Sequence, residues 1–524
     1  MAIVYEERNG KKYAYECTSR RVPDKAYPVS SKKYLGAVDP RTGEIIPKKT
    51  VPRREFPDKV CAKNYGSVLV VNKVQEDLCL REDLDLSFGN IGDDILALAM
   101  AQAIVPGPFM DSEVVLQDSF ICEMLGHRRN MGSQRTSEIL KAIGAAGLNL
   151  DTFFEARTGR ASGLLVYDIT SVSSYSLMGG WSEWGYNRDG ERMKQVNIGL
   201  VTDGEGIPVS FEMFPGSLPD IKTLDRMTGD IVRRGGRDLI VTMDKGFESP
   251  SNLAHMNERG TKFVTTMRPS VEAAKRMLSE LTNAYGNPDH DRFFRGKAYT
   301  VLERGLSVIG IEEPEYAEGT EITAYVCRDP EAAAASVSEL KSTLNEMTER
   351  LNGTTHRDPE GFLEKKAGAF AKYFDMEYSA ETGMKLSIKK KALARSVNRA
   401  GSFILLVTPG ITWEQAMLCY DTREVVEKAY DVFKTDLDGG RNRTGDPDTA
   451  RGRLFVKIAA LMIRVRMETI ISGSKHKDLT VSYSLRSLST LRAVGGEGEW
   501  RLTETTKNNR TILEVFGIKV PEKI

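Results

Sequence analysis

Two aspartates close short apolar runs, Asp168 in GLLVYDITS (163–171) and Asp244 in DLIVTMDKG (238–246). As strands of an α/β sheet, these runs put both carboxylates at strand ends, facing the crevice where such sheets bind ligands. Two carboxylates there repel unless a proton or a cation intervenes. Hard oxygen donors suit Mg2+ or Mn2+. Two such ions, about 3.5–4 Å apart, can activate the attacking oxygen and stabilise the leaving oxygen of a phosphodiester. Strand-end aspartates are also common turn formers, so neither residue decides the matter alone.

A third carboxylate comes from the helix expected over 413–436. In YDTREVVEKAYDVFK, Tyr420, Arg423, Glu427 and Lys434 fall within an arc of about 60° at roughly 100° per residue. Leu418, Val425, Val426, Ala429, Val432 and Phe433 fall on the opposite side. An amphipathic helix with a solvated face gives the same wheel, and Arg423 and Glu427, four apart, could simply pair. The wheel shows only that the four polar residues could converge.

The elements that must position these groups read as α/β. KQVNIGLVTDGEGIPVSFEMFPG (194–216) is a pair of strands around a DGEG turn, a hairpin signal. Helix, strand, helix and strand follow to about 268, the order of an RNase H-like sheet. Residues 270–400 interrupt this pattern before SFILLVT (402–408) resumes it, which predicts an inserted subdomain. The expected organisation is a basic, strand-rich region over 1–89 and a helical bundle over 90–160, the latter a candidate DNA-binding element. The core then occupies 161–269 and 401–470 around the insert, with a tail over 471–524.

Charge narrows the classes. Lys+Arg and Asp+Glu are both 73, which excludes a uniformly basic nucleic-acid coat and an acidic solvating chain. Locally, residues 1–64 hold fifteen Lys/Arg against eight acids, and Lys385, Lys389, Lys390, Lys391, Arg395 and Arg399 cluster. Basic groups of this kind release counterions from DNA phosphates, although a solvated surface reads the same way. His127, Arg128, Arg129 and Arg135 could face DNA or line an inter-helix turn. Six scattered cysteines without a CxxC pair predict a reduced, cytosolic compartment and no zinc site. No secretory signal is visible, and the longest apolar stretch, 95–109, is short for a membrane span. A phosphate loop of the GxxxxGK[ST] type is absent.

The spacing Y-(2)-R-(3)-E-(6)-K at Tyr420, Arg423, Glu427 and Lys434 resembles the signature of the IS4-type DDE transposases. YDITS around Asp168, the segment 185–224 and MDKGF around Asp244 resemble the same group's acidic regions, and the chain is most similar to its IS1634-like branch. The resemblance is good over about 160–270 and 400–470 and loose over 1–160. It implies a retroviral-integrase/RNase H-like core, with a β-rich subdomain inserted at 270–400, in which Asp168 bridges two Mg2+ (or Mn2+) ions while Asp244 and Glu427 hold one each. Tyr420, Arg423 and Lys434 would contact the DNA backbone. The implied reaction cuts the ends of a mobile element with metal-bound water, then joins the freed 3′-hydroxyl to target DNA. Double-stranded DNA, carrying terminal inverted repeats or serving as target, is the implied partner, and a homodimer on DNA in the cytoplasm the implied assembly.

One departure stands out. Relatives place a base-stacking Trp in the insert, whereas Trp181, Trp184, Trp413 and Trp500 all lie outside 270–400. A DNA hairpin step is then either missing or served by Phe293, Phe294 or Tyr299. Two other readings share the acidic residues: an RNase H-fold nuclease without strand transfer, and a non-catalytic DNA-binding derivative.

Overall fold

The computed structural model describes residues 2–8, 11–20, 29–47, 61–127, 131–161, 163–176, 181–185, 190–219, 222–236, 239–308, 320–496 and 499–520. The chain forms two compact units, one of Met1–Cys61 with Val494–Trp500, the other of Ala62–Ala493 with Arg501–Ile524.

In the first unit, β1 (Ala2–Arg8), β2 (Lys11–Arg20), β3 (Val29–Val38) and β4 (Ile45–Pro47) form an antiparallel sheet in sequence order. Tyr34 packs against Tyr13 and Tyr15, with ring centroids 6.1 and 5.4 Å away, and Ala14 is buried. Lys11, Lys12, Lys33 and Arg41 are among its described basic residues; Arg21, Lys25, Lys48, Lys49, Arg53, Arg54 and Lys59 lie outside the described residues.

β5 (Cys61–Asn64) carries the chain into the second unit, which begins with helices well before position 90. α1 (Gly66–Asp77) and α2 (Leu80–Phe88) bury Val68, Val71, Val74, Leu80 and Leu84, a three- and four-residue spacing that makes an apolar stripe. The boundary expected between 89 and 90 therefore moves back to about residue 66. α3 (Gly92–Ile104), α4 (Ser112–Asp118), α5 (Ile121–Leu125), α6 (Ser133–Ala145) and α7 (Gly147–Arg160) complete the bundle. His127 and Arg135, expected as possible DNA contacts, instead both bind the fully buried carboxylate of Asp94; Arg128 and Arg129 lie outside the described residues.

The central sheet starts with β6 (Leu164–Ser174), β7 (Gln195–Asp203) and β8 (Pro208–Pro215), then α8 (Leu224–Arg233), β9 (Ile240–Met243), α9 (Pro250–Glu258) and β10 (Lys262–Thr266). Ser249 caps α9 through a 3.1 Å bond from the Asn252 amide, with Pro250 at its first position. β6 pairs antiparallel with β7, and β7 with β8; on its other side β6 pairs parallel with β9, and β9 with β10.

The interval 270–400 is not a separate β-rich body. After α10 (Glu272–Asn283), strands β11 (Asp291–Phe294), β12 (Lys297–Val308) and β13 (Thr320–Arg328) extend the same sheet, in the order β11-β12-β13-β16-β10. The remainder is α11 (Pro330–Leu351), α12 (Pro359–Ala367), the hairpin β14 (Phe374–Ser379) and β15 (Gly383–Ile388), and α13 (Lys390–Arg399). Leu344, Leu351, Leu363, Phe374 and Leu386 give this part its own small core. β16 (Ser402–Val407) joins the extension to β10 because its alternating residues are buried on both faces.

α14 (Trp413–Thr422) and α15 (Glu424–Asp431) follow, then a π-helical turn (Val432–Asp436), β17 (Arg441–Asn442) and α16 (Pro447–Ser472). A capping box of Thr412 and Gln415 starts α14. α16 lies against α6 at contact so close that a Cβ on Gly452 would sit 1.8 Å from the Leu140 carbonyl. α17 (Val481–Leu488) and α18 (Lys507–Val515) end the chain's regular structure. Among the described residues no single helix is long and apolar enough to cross a membrane.

Candidate active site

Strand periodicity decides which side chains share a face. On β6, Leu165, Tyr167 and Ile169 enter the core that also holds Leu224, Leu253 and Leu278 of α8–α10. Leu164 packs instead with Trp413, Met417 and Cys419 of α14. Asp168, in step with Leu164, therefore faces the α14–α15 side. The same alternation holds on β9, where Ile240 packs with the α14 cluster and Thr242 lies against the Cys419 thiol. Asp244, the next residue in that phase, faces the same side.

Register brings the two aspartates together. Tyr167 pairs with Met243 in the parallel ladder, so Asp168 and Asp244 stand at the next rung, on strands about 4.8 Å apart. Asp168 does not end its strand as expected. β6 runs on to Ser174, because its polar and β-branched residues keep pairing with β7, from Asp168↔Leu200 to Ser173↔Gln195. The strand that ends is β9, and the sheet position beyond Asp244 is taken up only later by β17, at Arg441↔Ser173. The aspartates thus flank a gap between β6 and β9. Connections leave β6 for β7 on one side and return through β9 on the other, which makes this gap a topological switch point.

The helix expected as one piece over 413–436 is segmented. At Arg423 (φ −57°, ψ −29°) the backbone stays helical, but its N–H bonds the Tyr420 carbonyl at 3.4 Å, three residues back. Lys434 then falls in the π-helical turn. The uniform wheel therefore breaks, and Leu418, expected to be covered, is 45% exposed. π turns inside helices recur at functional sites.

Side chains around the break are ordered by stacking. Tyr420 lies flat on Phe403, centroids 4.8 Å apart and planes 4° apart, and the Arg423 guanidinium sits 4.4 Å above the Tyr420 ring. Burial pushes the Tyr420 phenol up, Arg423 draws it down, and the nearby charge of Asp244 adds to the rise. Arg423 makes this cation–π contact in place of the Glu427 pairing left open above, and among the described residues no ion pair joins the two. Glu427 is exposed on α15 and Asp244 is exposed beyond β9, whereas Asp168 is half-buried. Lys434 is close enough to Glu191 to help hold that carboxyl below its usual range, where Ser173 is its main hydrogen-bond partner.

Sequence reasoning missed the residue that seats α15. Tyr430 donates its hydroxyl to the carbonyls of Asp168, at 2.8 Å, and Ile198, at 2.9 Å. The only signal was a phenol on the helix face otherwise given to Val426, Ala429 and Phe433. Glu427 lies one turn before it.

Two of the three expected donors thus stand side by side, and the third lies on the helix fastened over them. Among the described residues no three His, Cys, Asp or Glu side chains are close enough to share an ion. The donor set fits a hard cation in chemistry, as paired carboxylates otherwise repel, while its convergence is limited to the strand pair. Of the aromatic residues in the extension, Phe294 and Tyr299 pack edge-on to Trp413, at 6.2 and 5.9 Å, and Phe293 is 73% exposed.

Fold and site define an α/β protein with an acidic cleft at a sheet switch point, flanked by aromatic and cationic helix residues. The family model of the transposase DDE domain matches residues 152–463, and the chain belongs to that family. It is a DDE transposase, and DNA is its partner. No curated protein matches the chain significantly.

Proposed function

We propose that this transposase is of the IS4 type, similar to the IS1634-like branch, that it cuts the ends of an insertion sequence, and that it joins the freed 3′-hydroxyls to target DNA. The observation that carries the reading is the parallel rung Tyr167↔Met243, which brings the following residues, Asp168 and Asp244, side by side at the switch point. The strand order β8-β7-β6-β9-β10, with its antiparallel half and its parallel half, supports an RNase H-like core.

In this reading Asp168, Asp244 and Glu427 would hold Mg2+ or Mn2+. Two ions so held would lower the pKa of the attacking water and neutralise the leaving oxygen. The protein's own groups do the rest. Among the described residues no hydrogen bond or ion pair ties down the Glu427 carboxylate, which leaves it available to complete the set. Arg423 and Tyr420, held by stacking on Phe403, present a cation and a hydroxyl to the backbone of the cut strand. Lys434 approaches it from the π turn. Phe293, exposed on its edge strand beside Arg292, is the aromatic residue available for base stacking. Lys390, Lys391, Arg395 and Arg399, exposed along α13, and the basic residues of 1–64 supply salt-sensitive phosphate contacts. A homodimer acting in the cytoplasm on paired terminal inverted repeats completes the proposal.

The test is cleavage and strand transfer with end-containing duplex and Mg2+, comparing wild type with Asp168→Ala, Asp244→Ala and Glu427→Ala. Each variant is expected to bind DNA and to lose cutting. Full activity in any of them would remove that residue from the site, and cutting without joining by wild type would identify a nuclease.

A further inference from the structure

Beyond the aspartate pair, the same face of the sheet holds a second, cationic recess. Val172 follows Asp168 by four residues on β6, so it points to the same side about 13 Å further along. Val172, Val196, Ile198 and Met213 floor a cavity of about 50 Å3, and Phe433 and Gly439 wall it. Gly439 is required there, because a Cβ would stand 2.6 Å from the Phe433 ring. The remaining lining includes Arg441, Arg453 and Lys457.

These cations are poorly compensated. Glu191 is the ion-pair partner of Arg441, at 3.0 Å. Arg453 makes no hydrogen bond or ion pair among the described residues, and its guanidinium lies 5.4 Å from the Phe109 ring. Arg443, exposed just after β17, also lacks such a partner among them. Burial, and then the charge of Arg443, lowers the Arg453 pKa. Burial brings Lys457 down to about 8, with Arg453 adding to the fall and Asp438 opposing it. Among the described residues the Lys457 ammonium has the Leu437 carbonyl and the Gln102 side chain as its hydrogen-bond partners. Three cations therefore line the recess, with Arg443 near enough to act on Arg453, and among the described residues Glu191 and Asp438 are the carboxylates acting on them. Desolvated like charges destabilise one another, and an anion in the recess removes that strain. Planar guanidinium groups match the oxygens of a phosphate.

We propose that Arg441, Arg443, Arg453 and Lys457 form a phosphate-binding recess. Its ligand is a phosphodiester of the DNA strand that continues from the Asp168–Asp244 gap, or inorganic phosphate when DNA is absent. The strand assignment rests on the transposase reading; the recess itself does not.

The experiment uses the full chain with Arg453→Gln and with Arg443→Gln, the second at an exposed position that cannot disturb packing. Duplex affinity is measured against NaCl concentration, and melting temperature is compared in phosphate and chloride at equal ionic strength. Each substitution is expected to reduce the slope of log K against log salt by about 0.9 and to remove the stabilisation by phosphate. A reduced slope assigns a strand phosphodiester. An unchanged slope with lost phosphate stabilisation assigns the free anion and overturns the strand assignment. No change in either, with native melting in chloride, overturns the recess altogether. Both readouts are of binding, so they stand whether or not Asp168→Ala abolishes cutting.

Discussion

The Tyr430 hydroxyl donates to the backbone carbonyl of Asp168 at 2.8 Å and so fastens the Glu427 helix to the strand that carries the first aspartate. A second bond, to Ile198 at 2.9 Å, extends the tie to β7. The two carbonyls share the single hydroxyl proton, and such a buried bond is worth about 1 kcal/mol net. Tyr430→Phe is expected to lower stability by about 1–2 kcal/mol in denaturant titration. Cleavage should fall by an order of magnitude or more, with DNA affinity retained. Unchanged cleavage would show that Glu427 needs no such anchor.

Asp168 and Asp244 together offer a divalent cation hard oxygen donors. Asp168→Asn or Asp244→Asn is expected to leave the protein folded in EDTA. The same change should abolish the stabilisation that Mg2+ or Mn2+ gives the wild type. Equal metal stabilisation in wild type and variants would place the ion elsewhere.

The α6–α16 contact depends on two glycines. Gly144 approaches Asp448 and Gly452 approaches Leu140, each with room for no Cβ. Gly452→Ala must separate the helices and is expected to cost about 1–3 kcal/mol, as overpacking does. Thermal melting should show this directly, and a neutral result would mean the helices part freely.

Asp94 gives the bundle its acid sensitivity. Burial alone would raise its carboxyl, but the hydrogen bonds from His127 and Arg135 outweigh burial and hold it below its usual value. A depressed folded pKa contributes stability that is complete above the unfolded carboxyl's pKa of about 3.9. That contribution is lost as pH falls through the lower folded value. Asp94→Asn should destabilise at neutral pH by about 1–3 kcal/mol, since it weakens the hydrogen bonds of the buried His127 ring and of the Arg135 guanidinium. Its stability should also vary less with pH below about 4. Parallel acid titrations of wild type and variant, followed by circular dichroism, check both.

The segments read from the sequence correspond closely to elements: 194–216 is the hairpin β7–β8, 238–246 contains β9, and 402–408 contains β16. Periodicity and turn residues are local, so they are legible one segment at a time. The helices of 66–88 escaped because their apolar stripe follows directly on a strand-rich, basic stretch and carries no starting cap.

What the sequence determined by itself was the set of chemically able residues: Asp168, Asp244 and Glu427, the cations and aromatics around Glu427, and the order of strands and helices that carries them. What only the tertiary structure decided was their spatial relation. The parallel register of β6 and β9 sets the two aspartates abreast, and Tyr430 determines where the third carboxylate's helix lies. Strands β11–β13 join the main sheet although they lie in an interruption of its sequence. Pairing between segments tens to hundreds of residues apart depends on exposed edges and complementary faces that exist only once the chain has collapsed, so no local pattern encodes it.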